Sequence, residues 1–216
     1  MLLHKIIRKI DDLFWEKCQN IVGRKAIDRK NRRKLLKQEV SIIASNCNGG
    51  VIYHDLGLQY QSPFINLWIK PDDFIKLLSD LRGYLSCELR FVGEEGISYP
   101  VAVLKDIYIY FQHYKTEEEA EICWKRRLKR MDFDNIAVFF TDRDGCTYEN
   151  LKRFDSLPYV RKVVFTHVDY PELKSAYYMD SFSKEQEVGV LTEFRNNKLK
   201  IRYLDEYDYV ALLNKN

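Results

Sequence analysis

The chain of 216 residues lacks an uninterrupted apolar stretch near the roughly 20 residues that a membrane-spanning helix needs. It lacks a C-x-x-C pair, and its five cysteines (Cys18, Cys47, Cys87, Cys123, Cys146) are odd in number. A disulfide framework and a zinc site of familiar spacing are therefore not expected, and reduced thiols in the cytoplasm are. The N-terminus, MLLHKIIRKIDDLFWEK, has charge throughout, no uninterrupted apolar core and no small-residue cleavage site, so it does not read as a signal peptide. There is no internal repeat and no low-complexity linker.

What is present is an ordinary globular composition, 46% apolar and 31% charged, with an unusually large aromatic share of 14%. The net charge of +3 conceals an asymmetry. Residues 24–37, RKAIDRKNRRKLLK, hold eight Lys or Arg and one Asp, a local +7 that leaves −4 on the rest. Such a block is either a solvated helix face or a grip for anionic lipid, a phosphorylated group or a partner enzyme. Nucleic acid is disfavoured, because no aromatics are interleaved with the cations and the remaining surface would repel phosphate.

Apolar residues at helical spacing predict an amphipathic helix over 2–18, and the basic segment continues as a second helix. Residues 1–37 therefore read as a basic helical appendage with a docking or dimerising role, and 38–216 as a single α/β domain. From Val40 the pattern alternates between strand and helix. Strands are expected at Val40–Ser45, Phe64–Ile69, Leu89–Val92, Val101–Leu104, Ile107–Phe111, Ile136–Phe140 and Lys162–Thr166. Helices are expected at Gly49–Leu56 with Gly57 as its stop, from Pro71 through Leu85, from the capping box at Thr116 to about Met131, over Tyr148–Phe154, and near Tyr207–Leu213. The architecture that follows is a three-layer α/β/α domain with a mixed, partly parallel sheet, plus the N-terminal helices.

The polar oddities fall where strands end. Ser45–Gly50, Gln112–Lys115, Thr141–Cys146 and Thr166–Asp169 each follow a strand, and in open α/β sheets that edge is where ligands bind. In SNCNGG, Cys47 stands where a strand gives way to a helix, whose N-terminal dipole favours a thiolate. Read as a nucleophile, Cys47 takes His113 or His54 as base, Gly49 and Gly50 supply backbone donors to an oxyanion, and Asn46 or Asn48 adds a side-chain donor. Read structurally, a small thiol simply fits a tight turn. Tyr114 accompanies His113 as a candidate ligand contact.

FFTDRDG ends a strand in Asp142-x-Asp144. Two carboxylates so placed could hold Mg²⁺ or Mn²⁺ against the diphosphate of a nucleotide-sugar, as in the D-x-D signature of glycosyltransferases, or could cap the following turn and helix. Arg127, three residues from Trp124, is expected half-buried against Asp142 or Asp144, as an ion pair or a phosphate clamp. His167 with Asp169 forms a further candidate pair.

Several motifs occur together and in order: SNCNGG-x-IY, LGLQYQSPF-x-NLWI, DDFIKLL, HY-x-x-x-EEA-x-x-x-W-x-RR, DNIAVFFTDRDGC and YDYVALLN. Over about residues 35–214 this sequence resembles the bacterial family catalogued as domain of unknown function 1919. The resemblance implies an α/β fold with a mixed sheet and an association with exopolysaccharide and capsule biosynthesis. It brings no established activity. The family motif usually reads Asn-Asn-Cys, an aromatic, then Gly-Gly. Ser45 and Asn48 depart from it, while Asn46, Cys47, Gly49 and Gly50 keep it.

Three functional expectations result. The first is a cytoplasmic transferase, active at or near the inner membrane face, that moves an acyl group from a donor such as coenzyme A to a sugar hydroxyl by way of Cys47 and His113. The second is metal-dependent glycosyl transfer through Asp142 and Asp144, with Arg127 or Arg130 near the diphosphate. The third is a non-catalytic protein that binds a sugar nucleotide or a polysaccharide intermediate.

Overall fold

The computed structural model describes residues 23–215. The helix expected over 2–18 lies outside them. Helix α1, residues 23–34, is followed by β1 (Ser41–Ala44) and α2 (Asn48–Leu56). Then come α3 (Pro71–Ser79), α4 (Leu81–Leu85), and a run of three strands, β2 (Leu89–Val92), β3 (Val101–Leu104) and β4 (Ile107–Tyr110). The chain continues through α5 (Glu117–Leu128), β5 (Ile136–Thr141), α6 (Tyr148–Ser156), β6 (Lys162–Thr166) and β7 (Ala176–Tyr178). It closes with the short pair β8 (Phe194–Asn196) and β9 (Ile201–Arg202), and with α7 (Tyr209–Asn214). No described helix is long and apolar enough to cross a membrane.

The fold is α/β, with the parallel and antiparallel pairings kept in separate sheets. A four-stranded sheet in the order β1-β5-β6-β7 is parallel at every pairing, and β2-β3-β4 form an antiparallel meander beside it. Parallel strands need both faces covered, which is why β1 and β5 read as near-continuous apolar runs. Alternation along the strands sends Ile42, Ala44, Ala137, Phe139, Val163 and Phe165 to one face, where they meet Ile52 and Tyr53 of α2 and Tyr209 and Leu213 of α7. Ile43, Val138, Phe140 and Val164 face the other way, onto Phe74 and Leu78 of α3 and Leu151 and Phe154 of α6.

Strand β1 is an edge, and its outer side is closed by one side chain. The Tyr53 hydroxyl accepts from the Ile42 amide at 2.8 Å and donates to the Val40 carbonyl at 2.7 Å. Ser41 Oγ donates to the Gln61 carbonyl and accepts from the Asp132 amide. Buried backbone groups that would otherwise lack partners are thus satisfied without another strand. Tyr53 is fully buried, and that burial pushes its phenol well above the usual range, keeping it a neutral donor and acceptor.

Several local expectations need correction. The helix from Pro71 does not run unbroken to Leu85: Asp80 leaves helical geometry at φ −142° and ψ 54°, and its carboxylate caps the Gly83 amide to start α4. Phe64–Ile69 is a loop, with Asn66 at φ 57°, and only Trp68 pairs with a strand, exchanging both backbone hydrogen bonds with Tyr110. Helix α5 starts at Thr116 as expected, but stops at Leu128.

The boundary expected after residue 37 falls inside a bonded unit. Arg24 contacts Asp28, Asp55 and Asp205, and Arg202 pairs with the same buried Asp55. Arg32 donates to the Asp55 carbonyl, Asn31 to the Tyr209 hydroxyl, and Asn214 spans the Lys34 carbonyl and the Leu36 amide. These bonds hold the described part of the basic segment against α2 and α7.

Replacing Tyr53 with Phe removes a hydroxyl and strands one buried donor and one buried acceptor. Unsatisfied buried groups cost about 1–3 kcal/mol each, so Tyr53→Phe should lose roughly 2–4 kcal/mol in urea unfolding. A loss under about 0.5 kcal/mol would mean that water closes the edge equally well.

Candidate cleft at the carboxyl edge of the parallel sheet

Parallel pairing in the register Ala44↔Phe139 makes β1 and β5 end at the same edge. The loops that follow are then bonded to each other: Asn46 Nδ2 donates to Thr141 Oγ1 at 3.2 Å. The other end of the Asn46 carboxamide accepts from the Asn48 amide at 3.1 Å, a local turn that sets the start of α2. Cys47 is the residue before that helix, and its side chain does not cap it. The sulfur is free to face outward.

It faces His113. Cys47 Sγ lies 3.2 Å from His113 Nε2, bringing together two residues 66 positions apart. His113 is exposed and projects from a turn after β4, in which the Tyr114 amide returns to the Phe111 carbonyl. Tyr114 anchors that turn from below: it is buried, and its hydroxyl donates to the Ile65 carbonyl at 2.9 Å. His54, the other candidate base, is directed at Asp55 and is largely solvent-exposed.

Burial pushes the Cys47 thiol above its ordinary value. A helix N-terminus is expected to favour the thiolate, but in the folded protein desolvation of the sulfur opposes that and favours the thiol, with the His113 imidazole beside it. The same cause, joined by Asp142, Asp72 and Glu187, pushes Cys146 up to about 12. Cys146 has no comparable proton acceptor at its sulfur, which contacts the Thr147 carbonyl.

A cleft of about 390 Å³ opens beside the pair. Asn46, Cys47 and Asn48 form one wall, Thr141, Arg143 and Asp144 another, and Gln112 and Trp68 line it as well. Trp68 is fixed by its bridge to Tyr110, packs on that ring at 4.7 Å, and donates Nε1–H to Asp144 Oδ2 at 2.9 Å. The fourth side is residues 189–192. That strap is seated by the Leu204 amide on the Leu191 carbonyl and by Gly189, where a Cβ would come within 2.5 Å of the Phe182 ring.

Trp68 figures in the sequence only within the NLWI motif, with no mark of its place at the cleft, and the strap has almost none. The isolated Gly189 in VGVLT is the one local mark that a close approach occurs there.

Other expected members lie elsewhere. Gly49 and Gly50 sit behind the wall: a Cβ on Gly49 would meet Ala44 Cβ at 3.2 Å, and one on Gly50 would meet Asn66 Oδ1 at 2.8 Å. They allow α2 to lie close on β1 and on the Phe64–Asn66 loop. Arg127 is buried, but not against Asp142 or Asp144. Its guanidinium donates to the Tyr114 hydroxyl and lies 5.0 Å from the Tyr60 ring centre.

Asp142 and Asp144 do not converge on a shared cation. Asp142 is buried and saturated. Its Oδ2 accepts from the His167 amide at 2.7 Å and lies 2.5 Å from His167 Nδ1, and its Oδ1 accepts from the Val188 amide at 2.8 Å. His167 therefore pairs with Asp142, not with Asp169. Asp144, at φ 61°, gives its carboxylate to Trp68 and its amide to Glu187. Neither aspartate caps α6, which uses Thr147 and Asn150. Among the described residues no group of three or more His, Cys, Asp or Glu is arranged to hold a metal, and these two carboxylates do not fit a Mg²⁺ or Mn²⁺ site.

Fold and cleft define the class: an α/β protein with a polar cleft at the carboxyl edge of its parallel sheet. Residues 18–214 match the family described as Domain of unknown function (DUF1919), and the chain belongs to that family. It is also 44% identical, over 188 residues, to an uncharacterized protein of Haemophilus influenzae, with 87% of this chain and 90% of that protein covered.

The thiol chemistry has a direct readout. Because burial raises both thiols, alkylation of Cys47 by iodoacetamide should rise with a midpoint above the ordinary thiol value of about 8.5. Cys146 should react only at still higher pH. Peptide mass spectrometry across a pH series measures both, and His113→Ala should slow Cys47 labelling at every pH below its midpoint. Equal labelling of the two thiols at neutral pH would contradict the burial argument.

Proposed function

We propose that the protein is a transferase of bacterial exopolysaccharide or capsule biosynthesis that moves an acyl group to a sugar hydroxyl through Cys47. The observation that carries this reading is the 3.2 Å contact between Cys47 Sγ and His113 Nε2 beside a cleft that Cys47 lines. A thiol raised by burial is a poor nucleophile alone and a competent one beside a base. The cleft also offers carboxamides, a hydroxyl and one indole face, a lining suited to a sugar ring.

In the first half-reaction Cys47 adds to the carbonyl of an acyl thioester as its proton passes to His113 Nε2. Collapse of the adduct expels the donor thiol, which leaves with the proton from His113, and the acyl group remains on Cys47. In the second, His113 takes the proton of the acceptor hydroxyl as that oxygen attacks the acyl carbon. The Cys47 sulfur leaves and regains its proton. Coenzyme A is the donor carrier we favour.

The basic helix suits attachment at the cytoplasmic membrane face. Lys25, Arg29, Lys30 and Arg33 are exposed and make no ion pair among the described residues, whereas Arg24, Arg32, Lys34 and Lys37 are engaged within the protein. The full chain should therefore sediment with liposomes containing anionic lipid at low salt and be released at high salt. Alanine at these four positions should abolish the effect, and salt-independent partitioning would refute it.

Incubation with acetyl-coenzyme A tests the chemistry. One acyl group should appear on the Cys47 peptide. It should be absent in Cys47→Ala and slower by about 10²–10⁴ in His113→Ala, the usual worth of a general base. No acylation of Cys47 above the level of Cys87 would exclude the thioester route and leave a binding protein.

A further inference from the structure

The polar groups of the cleft divide into those already spent and those left over. Asn46 is bonded at both ends, to Asn48 and Thr141. Asp144 Oδ2 accepts from Trp68, and Glu187 Oε2 accepts from the Asp144 amide. What remains is one carboxylate oxygen, Asp144 Oδ1, which accepts no hydrogen bond among the described residues, and donor capacity on two walls. Asn48 is buried as a residue, lines the cleft, and its carboxamide lacks a hydrogen-bond partner among the described residues. Arg143 has a buried Nε with no hydrogen bond, and the nearest carboxylate oxygen, of Glu187, stands off at 3.9 Å.

Arg143 also lies at a junction. It lines the cleft and, with Gly189 and Val190, a second and more open groove on the far side of the strap. Its side chain is 25% exposed, so it is desolvated enough for a charged hydrogen bond to count and open enough for a ligand to reach. The N-terminus of the nine-residue α2 adds its positive end beside Asn48. A guanidinium with an unbonded buried Nε, a free carboxamide and a helix N-terminus border one space and offer donors to an acceptor group.

We propose that the cleft binds an anionic group, the phosphate or carboxylate of the substrate, between Arg143 and Asn48. The inference takes the cleft to be the reaction site proposed above, and it narrows the substrate to one that carries such a group near the reacting atoms. A phosphate would belong to a phosphorylated donor or acceptor, and a carboxylate to an acidic sugar. Arg143 is then a specificity-determining residue.

Calorimetric titration of the full-length Cys47→Ser protein separates this from the thiol chemistry. The probes are inorganic phosphate, pyrophosphate and glucuronate, with glucose as the neutral counterpart. At least one anion should bind about tenfold or more tightly than glucose, and Arg143→Met should weaken that binding by about 10- to 100-fold, the worth of a charged hydrogen bond. Arg143→Lys should fall between. Preference for phosphate or pyrophosphate assigns the phosphorylated class, and preference for glucuronate the acidic sugar. If Arg143→Met does not fold, Asn48→Ala tests the opposite wall in the same titration. Anions binding no better than glucose, or binding equally to the variants, would overturn the proposal. Anion binding that depends on Arg143, in a protein whose Cys47 is never acylated, would instead overturn the transferase reading and leave the anion site standing.

Discussion

Everything at the cleft depends on the parallel pairing of β1 with β5. Those strands are separated by some ninety residues of sequence, and the chain must complete α2, α3, α4, the meander and α5 before β5 can join. Once it does, both strands end level, and Asn46 meets Thr141 across the edge. The price is a β1 edge with one side unpaired. The Tyr53 hydroxyl closes it, and Tyr53 belongs to the helix that starts one residue after Cys47. The element that presents the thiol therefore also completes the strand that carries it.

Two opposing effects act on Cys47. A helix N-terminus favours the thiolate, and burial favours the thiol; the structure gives the second more weight. His113 makes this a poised arrangement in place of an inert one, because a neutral thiol 3.2 Å from an imidazole needs only a proton transfer to become a nucleophile. That geometry is held indirectly. His113 itself is exposed, and its turn is fixed by the buried Tyr114, which is bonded to Ile65 and to Arg127. A group that looked like a ligand contact in the sequence is the support beneath His113.

The C-terminal third contributes in the same indirect way. Asp142, which invites a metal-binding reading, instead ties the end of β5 to His167 after β6 and to Val188 at the root of the strap. With both oxygens occupied, it anchors the loops around the cleft. Residues 189–192 then wall the space that Asn46, Cys47 and Arg143 line from the other sides. The basic segment is likewise drawn in, by Arg24 and Arg202 meeting on the buried Asp55.

Local pattern sufficed for what is local in cause. Apolar runs gave β1, β5 and β6 nearly to the residue, Gly57 stops α2 in the left-handed conformation, and Thr116 starts α5. That polar loops sit at strand ends was legible too, and with it Asn46, Cys47, Asn48, Thr141 and Asp144 as residues of one edge. Which side chains are spent and which are free was not legible, because that depends on partners brought from distant sequence. Trp68 reaches the cleft only through its bridge to Tyr110, Arg143 matters because Glu187 stands too far from it, and His113 rather than His54 faces the thiol because the meander delivers it there. The sequence by itself determined β1, β5 and β6, their polar ends and the thiol at the turn, because apolar runs and turn residues are local signals. Only the tertiary structure decided which histidine faces the thiol, the strap and the unbonded Nε of Arg143, since each exists through contacts that strand order and loop packing create.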